Sequence, residues 1–163
     1  MSAMIEALFP GIQHLQNIHP LVVHFPIAFL FGSALFYLLA LLSSSEALAT
    51  TAFSLLMIGT LGAAAAVRNG IYAEPGVTLA PSVRGHLLEK HQNFMIMTLS
   101  IGAVLAIWSV IARLFPRKGR ALFILLCFAL LAVMPIGVDY GARMVYDYNA
   151  EGHACPQPIE FVK

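Results

Sequence analysis

Charge is what this chain has least of. Only 10% of its 163 residues are Asp, Glu, Lys or Arg, while 60% are hydrophobic, and the mean hydropathy is +0.83. A soluble domain of this length needs far more charge to cover its surface, so one small domain with the bilayer as its solvent is expected. Net charge is near zero and no basic run suits a phosphate backbone, so nucleic acid is not an expected partner. Cysteine is scarce too. Cys127 falls in an apolar run and Cys155 in a polar tail, so they are not expected to pair, and the absence of C-x-x-C-H excludes covalent c-type haem attachment. The first eighteen residues lack Lys and Arg, which argues against a cleaved signal peptide and for a first span retained as an anchor. No acid, base and nucleophile constellation is present, so the chain is not expected to transform a substrate by itself.

What the chain has in quantity is long apolar runs. Four of them, at about 21–42, 48–67, 87–115 and 121–144, are long enough to cross roughly 30 Å of hydrocarbon as helices. The short link Ser43-Ser44-Ser45-Glu46 makes the first two spans antiparallel neighbours, and Pro116 and Gly119 stop and restart helices between the last two. Residues 69–84, with Gly70, Pro75 and Pro81, read as an ordered external loop. Arg113, Arg117, Lys118 and Arg120 crowd one short connection without an acid, which places that connection in the cytoplasm and both termini outside. The expected fold is an all-α membrane protein, a four-transmembrane-helix up-down bundle. A periplasmic segment 1–20 precedes the bundle at 21–144, and a periplasmic tail follows at 145–163.

Two histidine pairs with the same five-residue step, His19/His24 and His86/His91, open the first and third spans. Five residues is about 7.5 Å of rise and roughly 140° of rotation, so only one histidine of each pair can face the bundle interior. The deeper residues, His24 and His91, have fewer wet alternatives and are the expected facing pair, with His19 and His86 as alternates. The first and third spans of an up-down bundle are diagonal and parallel, so two imidazoles can meet across the core. That arrangement suits bis-histidine haem b, a single haem near the periplasmic face, and equally a structural hydrogen-bonded pair. Tetrahedral zinc or copper fits less well, because no buried Cys or carboxylate lies at that level. For His14 and His153 the interfacial reading prevails. Arg68, Arg84 and Arg143 sit at the outer ends, where they either pair with nearby acids or hold haem propionates. Asp139 and Arg143, four apart, read first as an intrahelical ion pair. Small residues at Gly59, Gly62, the run 63–66, Gly137 and Gly141 permit close helix packing or the passage of a flat macrocycle.

The stretch His19-Pro20-Leu21-Val22-Val23-His24-Phe25-Pro26-Ile27-Ala28 resembles the signature of the bacterial membrane family called domain of unknown function 2231. Gly141-Ala142-Arg143-Met144-Val145-Tyr146 is similar to the motif ending that family's fourth span, with Ala142 in place of its second glycine. Arg68-Asn69-Gly70 replaces the acidic residue usual after the second span. The family is related to transmembrane cytochromes of the b type, and the resemblance therefore implies haem binding in a multi-pass protein of the bacterial inner membrane. The resulting expectation is a membrane anchor and electron-transfer subunit of a periplasm-facing respiratory complex, non-catalytic on its own. Its expected partners are a periplasmic cytochrome c or dehydrogenase subunit, the lipid bilayer, and a quinone near Tyr72, Tyr140, Tyr146 or Trp108. The competing expectations are a haem-free structural subunit and a small metal-handling or transport protein.

Overall fold

The structure, a computed structural model, describes residues 19–77, 79–148 and 150. Four helices dominate: α1 (His19–Ser43), α2 (Glu46–Ala73), α3 (Pro81–Ile111) and α4 (Arg120–Tyr146). Each is long and apolar enough to cross a membrane. His14, His153, Cys155, most of the segment 1–20 and the tail from 151 lie outside the described residues. α1 packs on α2 and α4, and α3 packs on the same two helices, so α1 and α3 face each other across a diagonal.

The α1–α2 hairpin is the tightest contact in the bundle, and its cause is small residues. A Cβ on Gly59 would stand 3.0 Å from the backbone nitrogen of Leu30, and one on Gly62 would meet Pro26 at 3.5 Å. Without a hydrophobic drive between helices in lipid, such close approach maximises dispersion contact. The turn between them is capped by Ser45, whose hydroxyl accepts from the Leu48 amide at 3.4 Å.

Residues 69–84, expected as an ordered external loop, are largely helical. α2 continues as helix through Ala73, a 3-10 turn covers Glu74–Gly76, and α3 starts at Pro81. Pro81 initiates a helix here instead of breaking one, because the first turn needs no amide from it. α3 opens with Pro81–Val83, then a π-helical stretch Arg84–Leu88, and is regular from Glu89. Leu87, Leu88, Met144 and Ala150 form a small separate core under this segment.

α3 stops at Ile111, short of the expected Phe115, although the sequence stays apolar. Arg113 (φ 54°) and Leu114 (φ 91°) both adopt positive φ, and the Leu114 amide donates to the Ser109 carbonyl at 2.9 Å. That closure is the glycine-type helix ending, built here from two residues with side chains. The chain then folds Phe115 and the fully buried Pro116 back over the bundle end. Tyr37, Phe115, Phe123 and Trp108 interlock there, with ring centres 4.9 to 5.8 Å apart. Tyr37 donates its hydroxyl proton to the Leu114 carbonyl at 3.0 Å and sits 2.9 Å from the Ser109 hydroxyl. This end of the bundle is filled.

Candidate cofactor site at the histidine end

The opposite end holds a cavity of about 680 Å³, walled by all four helices and mostly apolar. Its size falls within the ~300–1,000 Å³ typical of pockets for small organic ligands. Its walls include Leu30 and Ile27 of α1, Ala63 and Ala66 of α2, Met95 of α3 and Val138 of α4. His19, His24, Glu74, His91 and Gln92 gather towards one end of its lining, while Thr98 lies further along α3.

Two imidazoles dominate that end. The rings of His19 and His91 stand with centres 6.4 Å apart and planes at 88°. His91 donates its Nδ1 proton to the Gly137 carbonyl at 2.7 Å, which fixes the tautomer and leaves Nε2 with its lone pair. Each ring rests on a glycine of the following helix. A Cβ on Gly70 would lie 3.0 Å from His19 Cε1, and one on Gly141 would lie 2.9 Å from His91 Cε1. The two hairpins thus contribute equivalent halves, one histidine seated on one glycine each.

His24, expected to face His91, is exposed instead. Its Nδ1 donates to the Pro20 carbonyl of its own helix at 2.7 Å, although the side chain still borders the cavity. One histidine of each pair faces inward, as helix rotation requires, but the level is set differently from the hydropathy-based expectation. α1 begins at His19, whereas α3 begins at Pro81, well before His91. His91 is therefore level with the first residue of α1, and His24 lies on another face. His86 is also exposed, with its ring edge-on to Tyr140 at 6.4 Å.

The three outer arginines do not converge on the cavity. Arg84 donates to Glu74 Oε1 at 3.0 Å, and Gln92 donates to Glu74 Oε2 at 2.9 Å. This latch ties the segment after α2 to the residue next to His91. Arg143 pairs with Asp147 at 3.4 Å and not with Asp139 as expected, while Arg68 lies over the Tyr72 ring at 5.6 Å. Among the described residues no three His, Cys, Asp or Glu side chains are grouped to hold a metal ion. The sequence reading missed Gly70 as a seat for a histidine. Its signal is the spacing from His19 to Gly70, which differs by one residue from that between His91 and Gly141.

A four-helix membrane bundle, packed solid at one end and hollow at the other beneath two facing histidines, defines the class of this protein. The chain belongs to the family described as predicted membrane protein (DUF2231), whose model matches residues 15–153. No curated protein and no solved structure matches it.

Proposed function

We propose that this multi-pass membrane protein binds one haem b in the cavity, where His91 and His19 would hold the iron, and serves as an electron-transfer subunit. The observation that carries the reading is the His19–His91 pair. Their ring centres stand 6.4 Å apart, and two imidazoles at one level are the donor set that would hold a haem iron. The cavity volume, its apolar walls and the Gly137 hydrogen bond that orients His91 fit as well. A haem supplies one-electron exchange at a potential that its ligands and burial tune.

The chain's own residues do the rest. The glycines at 70 and 141 let the imidazoles sit close to the neighbouring backbones, and the apolar walls exclude water. Of the outer arginines, Arg84 and Arg143 are engaged by Glu74 and Asp147, and Arg68 lies over the Tyr72 ring. The cation-rich turn at the other end supports an inner-membrane orientation with the cavity facing the periplasm. In that orientation the exchange partner is a periplasmic cytochrome or dehydrogenase subunit, or a quinone of the outer leaflet. The Gly137 hydrogen bond also suits a purely structural histidine, the reading in which the protein is a haem-free anchor.

Absorption spectra separate the two. Purified protein is expected to show a Soret band and low-spin reduced bands, with one haem per chain. His91→Ala and His19→Ala should abolish the low-spin signature, while His24→Ala should keep it. Protein that stays colourless after haem reconstitution overturns the haem reading. Loss of the signature in His24→Ala but not in His19→Ala overturns the ligand assignment. For the orientation, Gly76→Cys in a chain without Cys155 should react with an impermeant thiol reagent in intact cells, and protection reverses it.

A further inference from the structure

The cation-rich turn at the filled end plays no part in the cavity, and its construction asks for an explanation. Four cations fall within residues 113–120, and no acid occurs between Lys90 and Asp139. Arg120 is engaged: its guanidinium lies 4.9 Å from the Phe115 ring centre and its Nε donates to the Pro116 carbonyl at 3.1 Å. Arg113, Arg117 and Lys118 are exposed, and among the described residues none of them has an ion-pair partner. The acid at this end is Glu46, exposed at the start of α2 and likewise without an ion pair. The serines of the adjoining turn are turned to their own helices, Ser43 to the Leu39 carbonyl and Ser45 to the Leu48 amide.

The turn is also rigid. Leu114 is clamped on both sides, its amide by the Ser109 carbonyl and its carbonyl by the Tyr37 hydroxyl, and Pro116 is buried. Arg113 occupies a left-handed position at which glycine is the cheap residue. Backbone strain of this kind persists where the surroundings enforce it, and it clusters at sites that do something. Two residues before Arg113, at the end of α3, Ile111 is an exposed apolar side chain. Phosphate alone matches the cations, whereas a phospholipid matches both the cations and the apolar flank.

We propose that Arg113, Arg117 and Lys118 form a binding site for the headgroup of an anionic phospholipid whose acyl chains lie along the adjoining end of α3. The site is separate from the cavity and stands whether or not a haem is bound there. A cation at an anionic membrane surface gains about fivefold in association, so three of them give a clear preference over zwitterionic lipid.

Trp108 reports on it directly. It is the single tryptophan of the chain, half-buried, and it packs against Gly119 at the base of the turn. The full-length protein is reconstituted in vesicles with phosphatidylglycerol or phosphatidylcholine brominated near the headgroup end of the acyl chains. Trp108 fluorescence should be quenched with a relative association at least about fivefold in favour of phosphatidylglycerol. R113Q/R117Q/K118Q should bring the ratio close to one, and Arg117→Gln or Lys118→Gln alone, which leave the strained backbone untouched, should each lower it severalfold. Arg68→Gln at the other end should leave it unchanged. Equal quenching of the unaltered protein by both lipids overturns the proposal, as does a preference that survives both single substitutions. Displacement of the brominated lipid by millimolar glycerol phosphate would show a site for soluble phosphate and would equally overturn it.

Discussion

The two ends of this bundle are made by the same four helices and obey different rules. At one end Tyr37, Phe115, Phe123 and Trp108 fill the space, and the Tyr37 hydroxyl is bonded to the Ser109 hydroxyl and the Leu114 carbonyl. At the other, small residues such as Ala63, Ala66, Gly70 and Gly141 share the lining with aliphatic side chains such as Ile27, Leu30 and Met95, and histidines stand at its end. The difference is one of side-chain volume, since the helices run through both halves without a break. A membrane protein of this size keeps its shape by packing one half and leaves the other half free to hold something.

The largest test of that contrast is truncation. Phe123 is fully buried among aromatic rings, so Phe123→Ala should cost about 3–5 kcal/mol in unfolding of the detergent-solubilised protein. Val138→Ala, on a wall that already borders empty space, should cost less than about 1 kcal/mol. Equal losses would erase the distinction between the ends. A second, smaller contrast comes from adding a methyl group. Gly141→Ala drives a carbon into the His91 ring, and Gly119→Ala, at φ 73°, drives one within 2.8 Å of Trp108. Both should lose about 1–3 kcal/mol. Only Gly141→Ala should alter a haem spectrum, and a spectral change in Gly119→Ala would couple the ends. The smallest contrast is polar. Tyr37→Phe strips a partner from the buried Leu114 carbonyl and should cost about 1–2 kcal/mol. Gln92→Ala loosens a half-exposed latch and should cost under about 1 kcal/mol. Its readout is faster amide exchange at 79–84 without a change in the global midpoint.

Much of the fold was legible because hydropathy reports directly on the solvent. The four apolar runs became four helices, with ends that differ by a few residues where the signal is not hydropathy. Arg68 and Asn69 are polar and helical because α2 runs on past its apolar stretch to Ala73. Leu114 and Phe115 are apolar and non-helical because a backbone closure, invisible to composition, turns them inward. The site was half legible. Rotation along a helix shows that each histidine pair splits, but the level at which two helices meet depends on how far α3 protrudes. That protrusion rests on Pro81 acting as a helix start and on the π-helical turn at Arg84–Leu88, neither of which leaves a mark in hydropathy. The arginines are a matter of competition. Arg84 has Glu74 within reach and Arg143 has Asp147, and a bonded partner in the fold outweighs an expected one outside it.

The division of the histidine site between two hairpins has a consequence for biogenesis. Membrane helices are made in order, so His19 and Gly70 enter the bilayer as one finished hairpin while α3 and α4 are still being synthesised. His91 arrives later, and the Gly141 backbone that seats it comes last, near the end of α4. The cavity has no fourth wall until that helix is in place. A ligand that needs all four walls would load only after translation of the membrane domain, because a chain stalled before α4 lacks the Gly137 carbonyl and the Gly141 seat of His91 and leaves an open cleft. A ligand of that kind would stabilise the fully inserted chain over a truncated one.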